Sequence, residues 1–337
     1  MEQHRNVYIK SATQISLQEP LSERWLESPV WPKDRYVRSQ NPDFRSWLSP
    51  LESRRMGNLM RRALATSLSA LAAATIEMPG AIVTGTGLGA IENTEIFLDQ
   101  LCREGEECRR PTHFMQSTHN TVGSLVAIHT KCHAYNTTYS HKSVSFDSAL
   151  LDAFLQLRRG ITSTALVMGN DELTPSYFNI LTKAGYVGLP GQVPAAEASV
   201  AMVLAAEDPQ EALCRIDDVG LAYGALRIDA LPSEFDAVMV GYNGALANDT
   251  AYDRLLAALP TKRPVLHYKH LFGECYSASA LGLYASAHVL AQGVAPAMLR
   301  RDDGDGALEV RRLLFLNHSG AKNFSWVLMS RPENKEL

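Results

Sequence analysis

Ala81-Ile-Val-Thr-Gly-Thr-Gly-Leu-Gly89 is the stretch on which the fold turns. Four residues suited to a buried strand run into three glycines at alternate positions, and the polar and apolar residues after Ala90 then fit a helix over 93–101, giving a strand, glycine loop and helix in succession. The spacing is Gly-x-Gly-x-Gly, not the Gly-x-Gly-x-x-Gly of a dinucleotide site, and no acid-tipped strand follows, so a tight turn against a neighbouring helix is expected instead of a nucleotide cradle. Outward from it, strands are expected over 6–15, 137–144, 164–168 and 199–205, with helices over 51–74, 120–133 and 146–159. The pattern then recurs: strands over 214–225, 235–242, 264–268, 311–317 and 324–329, with helices over 250–259 and 277–291. Strands alternating with helices argue an α/β sheet, and two similar halves meet near 206–212. The helix over 51–74 places Met56, Leu59, Met60, Ala63, Leu64, Leu68 and Leu71 on one face and Arg54, Arg55, Arg61 and Arg62 on the other. Residues 19–50, with five prolines and three tryptophans, read as an irregular but packed connection, and 206–211 and 300–305 read as exposed turns.

The 337 residues are 46% hydrophobic, enough for a large core, and carry a formal charge of −4 with no long run of one sign. Nothing here attracts nucleic acid or an anionic membrane. The opening residues lack an apolar leader segment and no apolar run is long enough to span a bilayer, which reads as a cytoplasmic protein with no membrane span. Five cysteines, at 102, 108, 132, 214 and 275, include no Cys-x-x-Cys pair; neither a disulfide framework nor a zinc site is indicated, and most read as small buried hydrophobes. Among ten histidines, His129 and His133 could share a helical face. His267 and His270 would point opposite ways from a strand, and neither pair has a carboxylate at ligand spacing. No metal and no cofactor are expected.

The order of motifs is more specific than any one of them. The Gly-Thr-Gly loop is followed by Pro111-Thr-His-Phe-Met-Gln-Ser-Thr-His-Asn120 and then by Ala165-Leu-Val-Met-Gly-Asn-Asp-Glu172; this stretch resembles the amino-terminal half of β-ketoacyl synthases. Three later segments resemble that family's remaining motifs: Gly241-Tyr-Asn-Gly-Ala-Leu-Ala-Asn-Asp249, Lys269-His-Leu-Phe-Gly-Glu274 and Asn317-His-Ser-Gly-Ala-Lys-Asn323. The resemblance implies a thiolase-like α/β fold in which two similar halves, 1–208 and 209–337, stack as alternating helix and sheet layers in one unit.

A ketosynthase needs a thiolate to accept an acyl chain and two imidazoles to stabilise the enolate formed as carbon dioxide leaves. Counting back from Gly160, the resemblance puts the cysteine position at Ser143, the two histidine positions at Asn243 and Glu274, and retains only the lysine, Lys269. A serine hydroxyl is barely ionised without a base, and Asn243 cannot shuttle a proton. A bare carboxylate at Glu274 would oppose the malonyl carboxylate by about 4 kcal/mol at ~4 Å with an effective dielectric near ~20. Each residue also has a purely structural reading: Ser143 as a small residue in an interior strand, Asn243 as a turn former, Glu274 as a helix-start residue, Lys269 as its ion-pair partner. His141 facing Ser143 from a strand would make an acyl-serine enzyme, although no Gly-x-Ser-x-Gly elbow is present. A chain of this kind is similar to the chain length factor class, and its phrases Arg54-Arg55-Met56 and Ser117-Thr-His-Asn120 are similar to ketosynthase-like proteins of aryl polyene and flexirubin clusters. The resemblance implies a subunit not catalytic alone, paired as a heterodimer with an active ketosynthase and served by an acyl carrier protein. The alternatives are an active 3-oxoacyl-ACP synthase or acyltransferase with unusual residues, and a structural homodimer.

Overall fold

A strand covered on both faces must be apolar at nearly every position, and the run of eight at Thr164–Asp171 is buried throughout but for its first residue. It lies inside a sheet whose elements follow in chain order, in a computed structural model that describes residues 4–105, 111–224, 226, 228, 231–301 and 306–332. These are β1 (Val7–Ile15), α1 (Pro50–Ser53), α2 (Asn58–Ala73), β2 (Ala81–Gly85), α3 (Ile91–Glu104), α4 (Pro111–Ser117), α5 (Thr121–Thr130), β3 (Tyr135–Tyr139), α6 (Ser145–Arg158), β4 (Thr164–Asp171), α7 (Pro175–Lys183) and β5 (Ala198–Ala206). The second series is β6 (Cys214–Tyr223), β7 (Ala237–Val240), α8 (Leu246–Ala258), β8 (Val265–His267), α9 (Lys269–Phe272), α10 (Ala278–Gln292), β9 (Val294–Ala295), β10 (Leu308–Glu309), β11 (Arg312–Ser319) and β12 (Asn323–Ser330).

The sheet order β3-β2-β4-β5-β1-β6-β12-β11-β7-β8 reads alike from either end. Moving inward from β3 or from β8, two parallel pairings are followed by two antiparallel ones. Within the sheet the two series pair where β1 meets β6, from Val7 opposite Ile216 to Ile9 opposite Cys214. Helices α6 and α10 lie between the two sheet halves, and their apolar residues share one core with both: Phe146, Leu150, Leu281 and Leu283 pack with Val167, Met202, Met239 and Phe315. Every residue from Ala278 to Leu290 is buried, as expected of a helix with protein on all sides. Outside this central layer, α2 and α5 cover Ile82, Leu166, Met168 and Val203, while Tyr252 of α8 covers Val238, Val240 and Leu316. The result is the expected mixed α/β architecture of two similar halves in alternating layers.

Several expectations need correction. The helix over 51–74 is broken: α1, opened by a Ser49–Glu52 capping box, ends after one turn at Ser53, and Gly57, in extended backbone, starts α2 afresh. Arg62 is not on an exposed face; it is buried and pairs with Glu197 at 2.8 Å. The strand over 137–144 stops at Tyr139, because Lys142 takes a left-handed φ of 49° and residues 142–144 coil into a 3-10 turn before α6. His267 ends β8 and His270 lies in α9, so the turn between them stacks the two rings at 3.9 Å instead of pointing them apart. Burial lowers His267 to about 4 and lowers His270 as well. Helix α7 went unrecognised, although Thr174 caps it by accepting from Tyr177 N–H and Pro175 opens it. Of the cysteines, 132 and 214 are buried, 275 is half-buried and 102 is exposed; 108, the end of the strand expected over 214–225 and most of the turn expected over 300–305 lie outside the described residues.

Candidate functional site

Parallel strands deliver their following loops to one end of a sheet, and ligand sites form there. The loops after β2, β4, β7 and β8 meet at that end, beside the first residues of α6 and α10. The Gly-Thr-Gly-Leu-Gly loop closes on an acid of its own sheet. It encloses the carboxylate of Asp171, which accepts from Thr86 Oγ1 (2.9 Å), Gly87 N–H (2.9 Å) and Leu88 N–H (2.6 Å), and from the Ser277 hydroxyl. Gly87 has to be glycine for this approach, since a Cβ there would sit 2.4 Å from Cβ of Tyr276. Burial pushes the Asp171 carboxyl upward, and the four donors pull against it.

From the second half come three of the four residues singled out in the sequence. Glu274 lies in an extended segment bridged to Ala195, its N–H donating to Pro194 O and its carbonyl accepting from Ala196 N–H. It is therefore not a helix-start residue, as α10 begins four residues later. Its Oε2 accepts from Lys269 Nζ at 2.8 Å and from Asn243 Nδ2 at 2.6 Å, and its Oε1 accepts from Lys269 at 3.1 Å. The side chains of Lys269 and Glu274 are 5% and 15% exposed, so the pair is shielded from water. Asn243 is also the turn former expected: its Oδ1 accepts from Ala245 N–H, and Gly244 takes a φ of 79°. Asp249 fixes this turn by accepting from Asn243 and Gly244 N–H at 3.0 Å each.

Ser143 lies in the 3-10 turn ahead of α6, half-buried, not in an interior strand. Its carbonyl accepts from Asn317 Nδ2 at 2.8 Å; the same nitrogen donates to Asp147 at 3.1 Å, and Tyr252 Oη donates to Asn317 Oδ1 at 3.3 Å. Tyr252 and Lys269 both press on Gly241, where an added Cβ would lie 2.7 Å from Lys269 Cε and 3.0 Å from Tyr252 Oη. Asn317, Tyr252 and Gly241 thus join the Ser143 turn to the Lys269–Glu274 pair. His141 is exposed and past the end of β3, so strand alternation does not place it facing Ser143.

This arrangement limits the chemistry. Cys275 follows Glu274, but burial first, then the charges of Asp171 and Glu274, push its thiol well above the ordinary range and disfavour a thiolate. His318 is lowered to about 4 by burial; its ring donates from Nε2 to Asn248 O, while Nδ1 faces Ala321 N–H, leaving neither nitrogen to relay protons. Lys269 pairs with Glu274, which corrects the expectation of a bare carboxylate there. Among the described residues no three His, Cys, Asp or Glu side chains converge on a metal position. Asp147 and Asp171 were given no role from sequence, though an acid in the apolar start of α6 and an acid ending a buried strand were the available signals.

A family model for the amino-terminal domain of β-ketoacyl synthases matches residues 24–222. The chain belongs to the β-ketoacyl synthase family. Among solved structures it is similar to the ishigamide ketosynthase/chain length factor, at 17% identity and a TM-score of 0.80 over 97% of this chain and 99% of that one. A type II PKS ketosynthase bound to the hexaketide, in complex with its acyl-carrier protein, gives 12% identity and a TM-score of 0.79 over the same shares. A β-ketoacyl synthase from Burkholderia phymatum STM815 gives 14% and 0.74, again over 97% and 99%. No curated protein matches the chain in sequence. At these identities the structural likeness establishes the thiolase-like ketosynthase fold and nothing further. No helix among the described residues is long and apolar enough to cross a membrane.

Proposed function

We propose that the chain is a ketosynthase-like subunit of chain length factor type, in which Ser143, Asn243 and Glu274 stand at the positions of the catalytic cysteine and histidines and Lys269 is retained. The observation that supports the reading is the closed Lys269–Glu274–Asn243 group, a hydrogen-bonded ion-pair cluster at the two positions that the resemblance assigns to the imidazoles of a condensing enzyme. The partner is an active β-ketoacyl-ACP synthase, with acyl groups carried on an acyl carrier protein, in a polyketide or aryl polyene pathway. The division at 208/209 separates the two β-strand series. The partner's place is the free edge at β3, where Tyr135 and, on the adjoining α5, Ile128 are exposed.

Two measurements test this. Carbon dioxide release from malonyl carrier protein is expected to be absent for the parent and for Ser143→Cys alone; turnover by the single mutant would show that the positions are misassigned and favour an active synthase with unusual residues. Light scattering of the chain co-expressed with a ketosynthase from the same gene cluster is expected to give a one-to-one complex, and a monomer indifferent to that partner would overturn the pairing.

A further inference from the structure

At the far end of α6 from Ser143, where that helix stops and β1, β6 and β11 begin, lies a cavity of about 290 Å³. It is lined by His4, Asn6, Arg5, Arg158, Arg215 and Arg312, with Asp217 the one carboxylate among the described lining residues. Four guanidinium groups around one small space repel each other, and two of the four, Arg215 and Arg312, are paired with carboxylates. Asp217 is shared: Arg215 Nε donates to its Oδ1 at 2.6 Å, and Arg312 lies 3.6 Å from its Oδ2. Arg312 also pairs with the exposed Glu234 at 3.1 Å, and its buried Nε has no hydrogen-bond partner.

The other two arginines carry no ion pair among the described residues. The guanidinium of Arg158 rests over the Phe154 ring, 5.4 Å from its centroid. Arg5 is tied to the end of α6 by its N–H, which donates to Arg158 O at 3.0 Å, and its guanidinium lies against Gly160, where any Cβ would meet it at 2.9 Å. Neither guanidinium is therefore paired with a carboxylate among the described residues. The carbonyl end of α6 offsets only about half a charge.

We propose that this cavity binds a small phosphate-bearing anion. Planar guanidinium groups brought to one cavity by four chain segments suit the several acceptor oxygens of a phosphoryl group better than the two of a carboxylate. Only Phe154 and Ile216 are apolar, so the cavity offers nothing to an acyl chain, and its volume suits a phosphate or diphosphate group with little attached. The site is distinct from the Lys269–Glu274 cluster and does not depend on how that cluster is read.

The test is calorimetric titration of the full chain with inorganic phosphate, inorganic pyrophosphate and glycerol 3-phosphate at matched ionic strength. Saturable binding of at least one is expected; tightest binding of pyrophosphate identifies a free polyanion, and equal or tighter binding of glycerol 3-phosphate identifies an organic ester. Arg158→Gln and Arg5→Gln are each expected to weaken binding at least tenfold, while Arg159→Gln, on the exposed neighbour, leaves it unchanged. Should Arg158→Gln fail to fold, Arg5→Gln, on an exposed segment, decides the matter alone. No saturable heat from any of the three, or unaltered affinity in the Arg5 variant, overturns the proposal.

Discussion

Asp171 and Glu274 are acids at the same end of the molecule, one from each strand series, and their partners differ in kind. Asp171 is enclosed by backbone N–H groups of the glycine loop and two hydroxyls, with no cation among the partners in its hydrogen-bonding shell. Glu274 is held by two side chains, Lys269 and Asn243. Backbone donors persist whatever side chains surround them, so the Asp171 arrangement is a property of the loop conformation. The Glu274 cluster depends on three side-chain identities and would open if any of them changed. One carboxylate therefore reports on the scaffold, and the other on what this sequence has done with the scaffold.

The sharpest way to break the comparison is Asp171→Ala. It strands several buried donors at about 1 to 3 kcal/mol each, so a loss of about 4 kcal/mol or more is expected in urea unfolding, or no folded protein at all. A loss under ~1 kcal/mol would mean that the loop satisfies its donors elsewhere. Next, Glu274→Ala alone leaves Lys269 buried without its counter-charge and is expected to cost roughly 3 to 5 kcal/mol, whereas Lys269→Met with Glu274→Leu costs far less. A double-mutant cycle in denaturant reads the coupling, and additive single effects would show that the two do not interact.

Glu172, the neighbour of Asp171, sharpens the same point, since it has one backbone donor, Glu92 N–H at 2.9 Å, and burial raises it to about 7 from the ordinary 4.5. Its folded value lies above the unfolded one, so its contribution is fully present below pH 4.5 and is lost as pH rises through about 7. Across that window stability is expected to fall by about 3 kcal/mol, and Glu172→Gln, which keeps the acceptor, is expected to flatten the pH profile of unfolding. An unchanged profile in the Gln variant would assign the slope to other groups. The smallest effect belongs to Gly241→Ala, whose methyl group must displace Lys269 Cε; about 1 to 3 kcal/mol is expected, removed when Lys269 is shortened. Equal cost in both backgrounds would place the clash on Tyr252 instead.

Most strands and long helices were legible because burial on one or both faces writes a period into the chain, as at β4 and α10. Helix α2 was legible in its apolar face but not in its start, since Gly57 in extended backbone interrupts a continuous 3.6-residue pattern. Arg62 escaped for a related reason: periodicity sorts charged residues outward, and only the presence of Glu197 on β5 makes its burial affordable. At the candidate site, the ion pair between Lys269 and Glu274 was anticipated from their closeness in sequence. The contacts of Ser143 and Asp147 with Asn317 were not, because about 170 residues separate the partners.

The chain by itself determined its alternation of strands and helices, the order of its motifs and the residue types at Ser143, Asn243, Lys269 and Glu274, all of which are local or linear properties. Only the tertiary structure decided that the glycine loop closes on Asp171, that Asn243 and Lys269 share one carboxylate, that His267 and His270 stack, and that four arginines from distant segments line one cavity. Each of these depends on the direction in which a side chain leaves the end of an element. That direction is set by where the element stops and by what packs across from it, and neither is fixed by neighbours along the chain.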